Sequence, residues 1–416
     1  FNQNDIVICS YQFAKTKEPY IRLITWDLSV IDEAHRLRNV YKSNNKIARS
    51  IKNSLESVPK ILLTATPLQN SLLELYGLVS VIDDYAFGDL KSFKSQYSRV
   101  GGTAEEDVFY ELKERLKPIC KRTLRRQVLE YIRYTNRIAL VEEFYPTSEE
   151  QELYDLVTEY LQRESLYALP SGQRKLMTLI LRRLLASSTY AISGTLEALS
   201  TKLENIVKDN GDNDISEELI DNFEMYDELQ EEWEGENSED ENDDEKENYS
   251  LYEIEQIKSE IISLKKFAKL AKSIIINSKG EKLFTALQRG FDEMERLGAP
   301  RKAIIFTEST RTQKYIRNLL ETSGYSGQIV LFNGTNTDDI SKKVYNDWIV
   351  KNKNTDKITG SKSADMRAAL VDYFREEAII MIATEAAAEG INLQFCSMII
   401  NYDLPWNPQR IEQRIG

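Results

Sequence analysis

The chain has 416 residues, enough for two or three domains, and its apolar content of 41% is ordinary for a globular protein with real cores. No apolar run approaches the ~20 residues of a membrane span, and no signal-peptide pattern is present. The net charge of −13 argues against nucleic acid only until it is mapped: residues 203–248 carry a net −19, which leaves +6 for a mildly basic remainder.

Cys9, Cys120 and Cys396 stand far apart and match no metal spacing, which fits structural thiols in a reducing cytoplasm. A chain that opens on Phe1 rather than Met reads as a piece of a longer protein.

In chain order, Asp5 to Tyr11 is β-branched and predicts a strand ending in polar residues such as Ser10. Trp26 to Ile31 is apolar and ends in Asp32-Glu33-Ala34-His35, two adjacent carboxylates and the only histidine. An apolar run closed abruptly by acid predicts a buried parallel strand with carboxylates at its C-terminal tip. Open α/β sheets place ligands there. Two adjacent acids at such a tip suit nucleoside triphosphate hydrolysis, one holding Mg²⁺ through water and the other able to take a proton from the attacking water, or else simply end a strand ahead of a solvated loop.

Leu37 to Ser57 has helical spacing, Lys60 to Pro67 is a second apolar strand, and Leu68 to Val81 resumes as a helix. Residues 84–140 interleave basic and aromatic side chains, a pattern that suits either a solvated helix face or phosphate-backbone contacts. Thr147 and Glu150 have capping-box spacing ahead of a helical stripe. Leu176 to Leu199 reads as one long helix, residues 203–248 as an acidic, partly disordered segment, and Asn248 to Ile276 as helix again. The last third returns to strands at Lys302–Thr307, Gln328–Phe332, Ala378–Thr384 and Ser397–Asn401, with helices between. That alternation predicts a parallel sheet, with the polar residues 336–366 as an insertion.

Several ordered motifs resemble the Snf-type double-stranded DNA translocases of helicase superfamily two, most closely the bacterial RapA/HepA-like branch. Asp32-Glu33-Ala34-His35 matches Walker B or DEAH. Leu63-Thr64-Ala65-Thr66-Pro67-Leu68-Gln69-Asn70 matches motif III in its Snf-type form. Leu124-Arg125-Arg126 matches the paired arginines beyond the first lobe. Ile304 to Thr307 resembles motif IV, Ala383 to Gln394 motif V, and Gln409 to Gly416 the opening of motif VI.

The resemblance implies an α/β fold of two RecA-like parallel-sheet lobes with a helical insertion between them. Residues 1–83 would be the second half of lobe one, 84–275 the Snf-specific helical region, and 276–416 most of lobe two. It implies ATP and Mg²⁺ as cofactors and double-stranded DNA as partner, in a bacterial or archaeal cytoplasm. Catalysis falls to Asp32 and Glu33, and the nucleotide side to His35, Gly390, Asn392, Gln413 and Arg414. Coupling falls to Thr64, Thr66 and Gln69, and DNA contact to Ser10, Arg125, Arg126, Thr307 and Thr384. No Gly-x-x-x-x-Gly-Lys-[Ser/Thr] loop occurs in the chain. In the family that loop lies N-terminal to Asp32, and the arginines that complete motif VI lie beyond Gly416. The piece by itself is therefore expected to be nearly inactive. An RNA or strand-separating helicase and a non-hydrolysing DNA- or protein-binding scaffold stand as the competing readings.

Overall fold

A computed structural model describes residues 6–43, 45–68, 71–97, 105–124, 127, 130–131, 138–163, 165–169, 174–208, 249–353, 355–384, 391–405, 411 and 414. The chain divides into two compact units, Phe1–Ile138 and Ala139–Gly416.

In the first unit, β1 (Ser29–Ile31) and β2 (Lys60–Leu62) pair in parallel, with Val30 opposite Ile61. Helices α1 (Tyr11–Thr16), α2 (Glu18–Ile21) and α3 (Lys46–Ser54) surround them. The Asn45 side chain starts α3 by accepting from the Ala48 N–H at 3.0 Å. Ile31, Leu37, Ile51, Leu78 and Val81 are among the residues of the common core.

The strand expected at Asp5–Tyr11 is absent from the described part of that stretch. Residues 6–10 make no ladder, and Ser10 caps α1 by accepting from the Phe13 N–H at 3.3 Å. Ile8 stays 93% exposed, so no sheet face holds this stretch extended. A cap hydroxyl won over β propensity. Likewise α4 (Leu72–Ile82) starts later than the apolar pattern predicts, because Ser71 caps it through the Leu73 N–H.

Helix α4 lies against the turn that follows the carboxylates, with Arg38 3.8 Å from buried Glu74. A Cβ on Gly77 would overlap the Arg38 carbonyl oxygen. Helix propensity alone favours alanine there by up to ~1 kcal/mol, but overpacking against rigid backbone costs about 1–3 kcal/mol. Gly77→Ala is therefore expected to lower stability, measured as a drop in the denaturant midpoint at unchanged slope. Beyond α4, α5 (Leu90–Tyr97) and α6 (Glu105–Leu116) bury Phe93, whose ring lies 4.6 Å from that of Tyr97 and 5.1 Å from that of Tyr76.

In the second unit, α7 (Ser148–Leu161), α8 (Arg174–Ser187), α9 (Thr189–Val207) and α10 (Leu251–Ser273) form a helical bundle with its own core. The capping box of Thr147 and Glu150 is present as spaced, and Ser250 with Glu253 makes a second one. Glu260 is buried in the bundle and accepts from Tyr160 Oη at 2.7 Å and from the N–H groups of Tyr167 and Ala168 at 3.0 and 3.1 Å. The single helix expected over Leu176–Leu199 is two. Ser188 is extended and caps α9 through the Ala191 N–H at 3.1 Å. A short run of hydroxyls offered the backbone other partners and broke the helix.

A four-stranded sheet completes this unit, ordered β4 (Ile329–Phe332), β5 (Ile380–Thr384), β3 (Ala303–Thr307), β6 (Met398–Asn401) and parallel throughout. Every residue of β3 and β5 is buried. Ala303 and Ile305 pack toward α11 (Ser278–Arg296) and α12 (Thr310–Leu320), and Ile304 and Phe306 toward the opposite face. Burial on both faces is what near-continuous apolar strands encode.

The polar stretch 336–366, expected as an insertion, is mostly helical in its described residues. It holds α13 (Asp339–Asn352) and the start of α14 (Lys362–Glu376), a helical crossover from β4 to β5. Trp348 anchors it: the ring is 6% exposed and donates to Asp372 Oδ2 at 2.9 Å. The fold class, α/β with parallel sheets in separate units and helices between them, is the one expected. The acidic run lies mostly outside the described residues.

Candidate functional site

The first set of site residues sits at the C-terminal tips of β1 and β2. Asp32 follows β1 directly, is exposed, and turns its Oδ1 back to accept from the Glu33 N–H at 2.9 Å. Tyr11 Oη donates to the Asp32 carbonyl at 2.7 Å. Burial raises the Tyr11 phenol to about 12, helped by the carboxylates of Asp32 and Glu33 against the opposing Arg36, so it remains a neutral donor. Glu33 adopts φ 50° and ψ 44°, left-handed for a residue with a Cβ. That backbone costs on the order of 1–3 kcal/mol and persists only where the surroundings over-determine it. Here the neighbouring Ala34 N–H is held by the Leu63 carbonyl at 2.9 Å, and the Leu63 N–H by the Ile31 carbonyl at 2.9 Å. The extension of β2 thus clamps the turn that displays Glu33. His35 Nδ1 lies 3.1 Å from Glu33 Oε2, a contact that becomes an ion pair when the ring is protonated.

On the β2 side, Thr64 Oγ1 accepts from the Thr66 N–H at 3.1 Å, a turn that carries the chain toward Pro67. Both threonines are half-buried next to the carboxylate turn. Gln69, Arg125 and Arg126 lie outside the described residues.

The carboxylates fit a magnesium–nucleotide complex. Mg²⁺ keeps most of its water and takes one or two protein carboxylates plus phosphate oxygens, and Asp32 is a single exposed carboxylate. Among the described residues no group of three or more His, Cys, Asp or Glu is arranged as a metal cage.

The second set lies in the other unit, at the C-terminal ends of β3, β5 and β6. Thr307 and Thr384 are both 0% exposed. Thr307 Oγ1 donates to Asp403 Oδ2 at 2.6 Å. Its expected part as a phosphate contact gives way here to an internal one, because a buried hydroxyl committed to a carboxylate presents nothing to a DNA backbone. Burial likewise removes Thr384 from the exposed surface. Ser10, spent on its cap, is exposed. Asn392 is exposed and its side chain accepts from the Gln394 N–H at 3.1 Å. Arg414 donates from Nη1 to Asn401 Oδ1 at 2.6 Å and to the Asp403 carbonyl at 3.2 Å, with its guanidinium 4.6 Å from the Phe306 ring. Gly390 and Gln413 lie outside the described residues.

Asp403 organises these strand ends and was not singled out from the sequence. It is 6% exposed. Its Oδ2 accepts from Thr307, from Ser187 Oγ at 2.7 Å and from the Glu308 N–H at 3.1 Å, and its Oδ1 from Lys279 Nζ at 2.7 Å. Burial pushes this carboxyl upward, but the Lys279 cation and the bonds from Lys279, Thr307 and Ser187 outweigh it and hold the group below the usual aspartate range. Beside it, Arg183 and Glu308 form a second buried pair at 3.5 Å. No local signal marked Asp403, since Lys279 is 124 positions away and Ser187 is 216.

Carboxylates stand on a strained turn at one pair of parallel strand tips, and an arginine stands among the strand ends of a second parallel sheet, positions at which α/β folds bind ligands. The SNF2-related domain family matches residues 1–191, and the Helicase conserved C-terminal domain family matches residues 311–416. Residues 1–191 are thus similar to SNF2-related domains, and residues 311–416 to helicase C-terminal domains. It is 28% identical over 421 residues to the uncharacterized ATP-dependent helicase YqhH of Bacillus subtilis, covering 100% of this chain and 57% of that protein. It is 36% identical over 124 residues to chromodomain-helicase-DNA-binding protein 8 of Danio rerio, covering 30% of this chain and 5% of that one. Among solved structures, the SWI2/SNF2 ATPase core domain of Sulfolobus solfataricus matches at 16% identity with a TM-score of 0.30, over 95% of this chain and 60% of that one. The chain thus spans 57% of the Bacillus protein's length and 60% of the Sulfolobus chain's.

Proposed function

We propose that the whole protein is an ATP-driven motor that translocates along double-stranded DNA, with these 416 residues carrying its carboxylate pair, its coupling segment and most of its second lobe. The observation that carries the reading is the clamp at the strand tips. The turn bearing Asp32 and Glu33 is hydrogen-bonded through Ala34 to Leu63, at the head of the Thr64–Pro67 segment. A change of charge at the carboxylates on hydrolysis therefore displaces the segment assigned to coupling.

In this reading Asp32 holds Mg²⁺ through water, and Glu33 orients and deprotonates the attacking water. Bound magnesium would neutralise charge on the phosphates; the chain's own part is positioning and proton acceptance. His35, beside Glu33, links the nucleotide side to Thr64 and Thr66, with Gln69 continuing that path. Gly390, Asn392, Gln413 and Arg414 are assigned to nucleotide binding by the resemblance of their motifs. Arg125 and Arg126 hold DNA phosphates, with Ser10 as a further contact. Contacts to phosphate carry no base information, so binding is expected to depend on salt more than on sequence.

The printed names of the relatives, an ATP-dependent helicase and a helicase-DNA-binding protein, support ATP and DNA as the ligands. Pro67-Leu68-Gln69-Asn70 favours the Snf-type translocase, in its RapA/HepA-like branch, over a strand-separating helicase. Three free thiols, and no described helix long and apolar enough to cross a membrane, are in keeping with a cytoplasmic setting. The test is ATP hydrolysis by the whole protein with and without linear duplex, beside a strand-displacement assay. Duplex is expected to stimulate hydrolysis without strand separation. Displacement of an annealed strand would move the protein to the helicase reading, and hydrolysis indifferent to any nucleic acid would sink the motor.

A further inference from the structure

The helical bundle α7–α10 meets the sheet of its unit through a polar seam. Ser187 donates to Asp403, and since that proton is committed, the 2.7 Å contact between Ser187 and Thr312 must have Thr312 as donor. Lys279, which pairs with Asp403, also donates to the Ala186 carbonyl at 3.2 Å. Arg311 donates to Thr195 at 3.2 Å, and Arg183 faces Glu308 across the same seam. Each side has its own apolar core. A polar seam between two apolar cores has the character of an interface between domains, able to shear without opening either core.

Asp403 reports on that seam at both ends. Its side chain receives Ser187 from the end of α8, Lys279 from the start of α11, and Thr307 with the Glu308 N–H from the end of β3. Its backbone carbonyl receives Arg414, and its own N–H reaches the Phe306 carbonyl at 3.2 Å. A shift of α8 that withdraws Ser187 leaves a buried carboxylate short of one donor. The residue must then adjust, and Arg414 is fastened to its main chain.

We propose that Asp403 is a positioning residue that relays the seating of the helical bundle, through Ser187, to Arg414. The kinetic consequence rests on the motor reading, in which Arg414 serves the nucleotide side; the mechanical consequence does not.

The test uses Ser187→Ala, Arg414→Ala and the double variant of the whole protein, with Ser187→Thr to restore the hydroxyl. Ser187→Ala removes the hydrogen bonds to Asp403 and from Thr312, and is expected to lower the duplex-stimulated kcat about fivefold. The unstimulated rate, the KM for ATP and duplex affinity should stay unchanged, and Ser187→Thr should recover the loss. In the Arg414→Ala background Ser187→Ala should cost nothing further, as expected of two residues on one relay. Equal losses in both backgrounds, or a loss confined to KM or duplex affinity, would overturn the relay. Amide exchange over residues 398–405 gives a readout independent of turnover. Exchange faster there than in the rest of the sheet in Ser187→Ala supports the proposal, and exchange changed no more there than elsewhere overturns it. A wild type that duplex does not stimulate fails the motor reading instead, and the exchange measurement still decides the relay.

Discussion

Glu33→Gln in the whole protein is expected to bind ATP and duplex as the parent does and to hydrolyse ATP about 10²–10⁴-fold more slowly, the range lost with a positioned general base. The substitution keeps the size of the side chain and its hydrogen-bonding reach, and it removes only the ability to accept a proton. The backbone should be undisturbed. The left-handed turn is held by the Ala34–Leu63 and Leu63–Ile31 hydrogen bonds and by the Asp32 side chain on the Glu33 N–H, none of which uses the Glu33 carboxylate. Denaturant midpoints of parent and variant should therefore agree. Single-turnover hydrolysis with duplex present measures the loss directly. A variant that hydrolyses at the parental rate would remove Glu33 from the chemistry, while one that fails to fold would mean that the carboxylate supports the turn after all.

The largest effect on stability is expected at Asp403. Asp403→Ala leaves the part-buried Lys279 cation beside an empty site and strips Ser187, Thr307 and the Glu308 N–H of their acceptor. Breaking a buried ion pair from one side costs about 3–5 kcal/mol. Asp403→Asn should be milder, because the amide oxygen still accepts, yet it leaves the Lys279 charge uncompensated.

The same residue sets part of the pH dependence. Its carboxyl titrates below the usual range in the folded protein. Its contribution is therefore complete above the unfolded aspartate pKa of ~3.9 and is lost as pH falls through the lower folded value. Asp372 is also lowered: burial opposes ionisation, but bonds from Trp348 and Lys357 prevail, so it adds acid sensitivity of the same sign. Only the difference between parent and Asp403→Asn isolates Asp403. Urea midpoints of the two proteins from pH 7 to pH 3 should converge toward the acid end. Parallel curves would show that folding leaves the pKa of Asp403 unshifted.

Much of this molecule was legible in the linear chain because its information is local. Runs such as Ala303–Thr307 and Ala378–Thr384 are apolar without alternation, and a strand buried on both faces needs that pattern. Both are strands, and they lie side by side in parallel. The capping box of Thr147 and Glu150 needs only a spacing of three and a helix to follow, and it is there. The carboxylates of Asp32 and Glu33 were found as acid ending an apolar run, and they stand at the tip of β1.

The misread stretches share a cause, which is that propensity and polarity do not say what a residue will touch. Asp5–Tyr11 has strand-forming residues, but among the described residues no strand pairs with 6–10. Leu176–Leu199 has helical spacing, but Ser188 gives its hydroxyl to the start of a new helix. The polar stretch 336–366 fills with helix because Trp348 finds Asp372 in α14.

The site divides along the same line. Residue type drew attention to Asp32 and Glu33, and the resemblance to Snf-type motifs gave them and His35 their expected roles. Only the tertiary structure turned Glu33 into its left-handed conformation, drew Thr307 inward, and brought Lys279, Ser187 and Asp403 together. A buried charge is tolerable only where its partners converge in space, and convergence across more than a hundred residues leaves no mark in the order of the chain.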